Sequence, residues 1–301
     1  MNRLTADLLL LLAAAIWGLA FVFQKTAMEV LGPWTFIAAR ASLATLALAP
    51  VAWYEWRRTV PEGASASHPF IPTGLVHAGF IAGIAFFLGA TLQQIGLKTA
   101  TATNGGFLTA LYVVFTPLLA WVIFRRRPGI YLLPAVVLSF AGTWLLGGGA
   151  LSALSEGDLF IAACAIFWAL HVILSERGAA FARPALFTCL QFATVAALSL
   201  VGALILESPT LEALWQARGE IAYVGILSSA VTFTLLTMAL RHTRSSEASV
   251  IVSTESLFAA LAGALLLGER LSPIAWAGAS LIIVATLVVQ LAPRPAEKKP
   301  A

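Results

Sequence analysis

Ten apolar runs, each close to the length that crosses a lipid bilayer, follow one another along this chain with only short turn-bearing and charged stretches between them. They cover residues 7–26, 34–54, 73–95, 103–124, 130–147, 158–176, 185–206, 220–240, 247–267 and 273–291. A hydrocarbon core about 30 Å thick takes roughly 20 residues per helix, so the pattern predicts ten transmembrane helices. A membrane barrel would alternate polar and apolar side chains over about ten residues. These runs are continuous and rich in Leu and Ala. Only 11% of the 301 residues are charged, and mean hydropathy is +0.91. A soluble domain carries about 25% charge. The expected fold class is therefore an all-α integral membrane protein, with the lipid bilayer as its first partner.

Arg3 and the leucines after it resemble the start of a signal sequence, but this run reaches Phe23 and nine more follow, which predicts a retained helix. The longest connections, near 55–72 and 207–219, are too short for a soluble domain. The stretch 293–301 is rich in Pro and charge and is expected to form a disordered cytoplasmic tail.

Orientation follows from the basic residues. With the N-terminus in the cytoplasm, thirteen of the eighteen Lys and Arg fall inside, among them Arg57, Arg58, Arg125, Arg126 and Arg127. Lys25, Lys98, Arg218 and Arg270 fall outside, and Arg40 lies within a span. The positive-inside rule then places both termini in the cytoplasm. The same distribution accounts for the basic sequence without a nucleic-acid partner. Cys164 and Cys189 both sit within spans and offer neither a disulfide framework nor a metal-ligand spacing.

The chain also repeats itself. An offset of 151 residues pairs Asp7 with Asp158, Trp17 with Trp168, Pro33 with Pro184 and Phe36 with Phe187. An offset of 143 pairs Lys98 with Arg241, Phe115 with Phe258, Arg127 with Arg270 and Thr143 with Thr286. Residues 1–150 and 151–292 thus read as two five-span units. Five is odd, so the second unit enters the membrane upside down. Inverted repeats of this kind build secondary transporters with a site near the midplane.

The runs LQQIGLKTATATNGGFLTALYVVFTPLLAWVIFRRRP, from Leu92, and ESLFAALAGALLLGERLSPIAWAGASLIIVATLVV, from Glu255, resemble the two EamA domains of the drug/metabolite transporter superfamily. That resemblance covers nearly the whole chain. It implies ten helices in a five-plus-five inverted repeat in a bacterial inner membrane, and export of amino acids or small metabolites. Overall similarity within the superfamily is to exporters of aromatic amino acids. The chain departs from the family in two places: Ser256 follows Glu255 where Glu-Pro is usual, and Arg126 occupies the first-half position of Glu269, which often carries an acid.

Polar and aromatic residues deep in the spans are the candidate substrate-binding residues. Trp17 and Trp168 lie about ten residues, or 15 Å, into their helices, away from the interface that Trp prefers. They are either packing residues or cavity walls, and Gly18 beside Trp17 admits a close neighbour. Arg40 and Glu255 are ionisable groups at similar depth, which makes them a structural ion pair or a substrate site. Gln191 takes the repeat position of Arg40, so the halves differ electrostatically. His171 shares a face with Trp168 and is either a packed histidine or a carboxylate or proton contact. Tyr112 and Gln94 add hydrogen-bonding capacity. The expected cavity is lined by spans one, three, four, six, eight and nine.

The leading functional class is a secondary transporter working by alternating access on a small amphipathic solute, a neutral or aromatic amino acid first. No G-x-x-x-x-G-K-[ST] loop is present to hold ATP. A membrane-embedded enzyme would need a nucleophile with its base, an H-E-x-x-H or an acidic metal cluster, and the sequence shows none of these. A channel-like facilitator is the third class. No cofactor or metal is expected, and a monomer suffices.

Overall fold

The computed structural model describes residues 1–58, 71–123, 125, 128–146, 155–268 and 270–291. The expected disordered tail, together with Arg126 and Glu269, lies outside the described residues. Every regular element described is helical. In the first half these are α1 (Arg3–Ala27), α2 (Pro33–Arg58), α3 (Thr73–Leu97), α4 (Ala102–Thr109), α5 (Tyr112–Val122) and α6 (Leu132–Leu146). The second half contains α7 (Glu156–Ala179), α8 (Pro184–Leu206), the short α9 (Leu211–Gln216) and α10 (Arg218–Ala222), and a π-helix (Tyr223–Val231) running into α11 (Thr232–Ala239). It closes with α12 (Ser245–Val252), α13 (Glu255–Leu266) and α14 (Pro273–Leu291). Nine of the resulting spans are long and apolar enough to cross a membrane, and α6 is a shorter apolar helix of 15 residues. Side chains such as Leu46, Ile205 and Leu265, 70 to 82% exposed, form an outer surface that only lipid covers.

Helix packing is reciprocal between the two sets of spans. α2 lies along α8, and α6 along α14, each span against its own repeat counterpart. α3 packs on α7, and the counterpart pair, the π-helix and α11 on α1, is also made. Likewise α1 meets α12 and α13, as α7 meets α4 and α5. The helix ends obey the same symmetry. Pro33 and Pro184 each open a helix at the position where a missing N–H costs nothing. Glu207 accepts from Trp34 N, Thr35 N and Thr35 Oγ1 at 2.6 to 3.1 Å, capping α2 from the end of α8. Glu55, at the end of α2, returns the contact by accepting from Leu186 N of α8 at 2.8 Å.

Spans four and nine, read from the sequence as continuous, are each broken. The interruptions fall at Ala110–Leu111 and Ser253–Thr254, which the 143-residue offset makes equivalent. At both, backbone N–H groups reach three residues back: Val113 to Ala110 O and Val114 to Leu111 O, then Ser256 to Ser253 O and Leu257 to Thr254 O, all at 3.0 or 3.1 Å. Ser256 in place of proline does not remove the ninth-span break. Ser253, Thr254 and Ser256 donate their hydroxyls to Val250 O, Ile251 O and Ser253 O at 2.7 to 2.8 Å, competing with the regular helical ladder.

Candidate central cavity

The broken helices, the π-helix and α1 converge on one cavity. It encloses about 610 Å³ of space, its open mouth included, and Trp17, Arg40, Tyr112, Trp168, His171 and Glu255 all line it. These are six of the seven residues singled out in the sequence. Gln94 is the exception: it is fully buried and absent from the lining, whereas Gln93, one helical step away, is on the wall. All six expected spans contribute, and span two joins them through Arg40.

The walls are aromatic. Phe86 stands with its ring edge-to-face against Trp168, His171 and Phe233 at centroid distances of 4.9, 5.4 and 5.0 Å. Phe233 also meets Trp17 at 4.8 Å and stacks on Trp168 at 6.2 Å, so one ring from α11 joins the two repeat-related tryptophans. Edge-to-face and tilted arrangements suit the ring quadrupoles. Trp17 finds its polar partner in the π-helix, donating Nε1 to Ser228 O at 2.8 Å. π-Segments are rare and frequent at functional sites, where they re-aim backbone groups. Gly18 has a different task. A Cβ there would collide with Phe258 Cβ and come within 2.7 Å of Ala259 N and Glu255 O, so only glycine lets α1 cross α13 at this point.

The polar groups fall into two sets. Arg40 is buried between the rings of Phe36 and Phe86, its Cζ 5.7 Å from each, and Nη1 donates to Gln24 Oε1 at 3.4 Å. Its Nε and Nη2 have no partner. Across the repeat, Gln191 Oε1 instead meets His171 Nε2 at 2.8 Å, and Ser175 Oγ lies 3.4 Å from the same nitrogen. His171 is thus held by the second-half counterparts of Arg40 and Gln24. Glu255 and Tyr112 begin α13 and α5, and the 143-residue offset makes them counterparts of each other. They are within interacting reach of each other, and among the described residues Tyr112 Oη and Glu255 Oε1 stop short of a hydrogen bond of ordinary geometry. Arg40 and Glu255 share the cavity without forming the ion pair entertained from the sequence; salt bridges are found instead from Arg3 to Asp7 and to Glu247.

Gln24, Phe86, Gln93, Phe233 and Ser228 also line the cavity and were not singled out in the sequence. The two glutamines carried a usable signal, since each is an amide inside an apolar run. Phe233 and the Ser228 carbonyl carried none. Among the described residues, no group of three His, Cys, Asp or Glu is placed to hold a metal.

Comparison with known proteins agrees with this architecture. The model of the EamA-like transporter family matches twice, over residues 4–148 and 155–291. A protein named as an uncharacterized transporter from Archaeoglobus fulgidus is 30% identical, across 96% of this chain and 87% of the relative. The threonine/homoserine exporter RhtA of Escherichia coli is 28% identical, across 93% of this chain and 89% of its own. One solved crystal structure superposes with a TM-score of 0.74 over 96% of this chain and 98% of that one, at 17% identity, which speaks to the fold alone.

Proposed function

For this chain, which belongs to the EamA-like transporter family, we propose that the central cavity is the substrate site of a secondary carrier that exports neutral amino acids, aromatic ones first. The reading rests most on one observation: a single cavity receives side chains from both repeats and from seven spans. A site shared in this way reaches one face or the other as the halves rock, which is alternating access. The four rings of Trp17, Phe86, Trp168 and Phe233 favour a flat apolar side chain. A phosphate or polyanion would call for a cluster of Arg and Lys, and among the described residues Arg40 is the one such residue on the wall. The relative named as a threonine/homoserine exporter supports the amino-acid class. Export proceeds from cytoplasm to outside in a bacterial inner membrane, with both termini cytoplasmic.

The test is uptake of labelled Phe, Trp, Thr and Met by proteoliposomes, with and without an imposed pH gradient. Saturable movement of Phe and Trp ahead of Thr and Met supports the reading. Movement that never saturates points to a channel-like facilitator, and the absence of any amino-acid flux removes the substrate class.

A further inference from the structure

The cavity contains two buried opposite charges that do not meet. Arg40 is 3% exposed and Glu255 is 5% exposed. Burying an ion without a partner is costly, and such groups inside membranes pair or serve a substrate. Here Arg40 Nε and Nη2 and Glu255 Oε1 make no hydrogen bond of ordinary geometry, the Glu255 carboxyl has the neutral Tyr112 hydroxyl as its neighbour, and neither residue has a salt bridge among the described residues.

The two residues meet α1 at different levels. Arg40 reaches Gln24, which lies six residues beyond Gly18 on α1, about 9 Å along the helix axis. Gly18 marks the level at which α1 touches the Glu255 backbone. Two charge-assisted hydrogen bonds of about 2.8 Å each, with an ammonium and a carboxylate on one carbon between them, span a similar length. The charges also belong to different halves: Gln191 replaces Arg40 in the second repeat and Tyr112 replaces Glu255 in the first.

Resting on the carrier reading above, we propose that Arg40 and Glu255 grip opposite ends of one zwitterion, the carboxylate on Arg40 and the ammonium on Glu255. The substrate's side chain then lies among Trp17, Phe86, Trp168 and Phe233. Each repeat supplies one charge, so a bound zwitterion ties the two halves together across the cavity. An amine without a carboxylate leaves Arg40 unpaired, and an acid without an ammonium leaves Glu255 unpaired. The site therefore selects for the presence of both charges as well as for the ring.

The experiment is competition against labelled phenylalanine in proteoliposomes, using unlabelled phenylalanine, phenylethylamine and 3-phenylpropionate. In the wild type, phenylalanine should compete about tenfold or more better than either analogue. Arg40→Met should raise the standing of phenylethylamine relative to phenylalanine by about tenfold, and Glu255→Gln should do the same for 3-phenylpropionate. Arg40→Lys, which keeps the charge, should restore the wild-type order in part. If a charge-deleting variant fails to insert, the wild-type competition decides alone. Phenylalanine flux with equal competition by all three compounds overturns the two-ended grip and leaves the carrier reading intact. Unchanged rankings in both variants overturn it as well. A wild type that does not move labelled phenylalanine overturns the grip and, with it, the aromatic-first part of the carrier reading.

Discussion

Glycine 18 shows how tightly a single position constrains the cavity. A methyl group there has no room, because the atoms it would meet belong to the Phe258 Cβ and the backbone of α13. Gly18→Ala should destabilise the purified protein by about 1–3 kcal/mol, the usual cost of overpacking, and lower its thermal midpoint in detergent. Gly219→Ala, where a Cβ meets nothing within 4 Å, is the matched control and should melt no lower than the wild type. Equal melting of the two variants would mean that the α1–α13 crossing is looser than described. In the proposed site the tryptophans act on the substrate instead. Trp17→Ala and Trp168→Ala, in protein that inserts normally, should each raise KM about three- to tenfold, the size of one aromatic contact of about 0.5–1.5 kcal/mol. Unchanged kinetics in both would make them packing residues.

At the scale of the helices, the cavity depends on where spans four and nine stop being regular. Ser256 lies in the first turn of α13, directly after the ninth-span break, so Ser256→Pro should insert, fold and melt within about 1 kcal/mol of the wild type. Ala262→Pro, in the body of α13, should cost about 3 kcal/mol or more, because it removes a ladder hydrogen bond and clashes with the preceding turn. Similar losses from both substitutions would argue against a pre-existing break. The caps offer a second check. Glu207→Ala strips three acceptor contacts from the start of α2 and should cost about 1–2 kcal/mol in thermal stability, with Glu207→Gln recovering part of it. These breaks were not legible in the sequence. Hydropathy reports where a span lies, whereas the break depends on whether Ser253 and Thr254 turn their hydroxyls back onto the helix. The π-helix was equally hidden, since nothing in YVGILSSAV separates a π register from an α one. Trp17, Arg40, Tyr112, Trp168, His171 and Glu255 were legible because each is out of place at mid-depth in an apolar run. Phe233 was not, because a phenylalanine is ordinary there, and in a run apolar all round the periodicity does not say which face meets lipid and which meets the cavity.

At the scale of the molecule, helices of the first five spans pack on their counterparts among the second five, and the cavity lies where the two sets meet. The repeat offsets in the sequence matched each span to its counterpart and placed Gln191 opposite Arg40, but they did not say that α2 packs on α8 and α6 on α14, or that Gln191 holds His171. Orientation is a separate prediction. A cysteine introduced after Pro293 should resist an impermeant thiol reagent in intact cells, and ready labelling would reverse the orientation argued from the basic residues. The central claim is that both membrane faces reach this one cavity in turn. Its most direct test is Val252→Cys on the cavity wall, in protein with Cys164 and Cys189 replaced, exposed to an impermeant thiol reagent from each side of oriented vesicles. The account predicts labelling from either side and protection from both when phenylalanine is bound. Labelling from one side alone, indifferent to the amino acid, would contradict it.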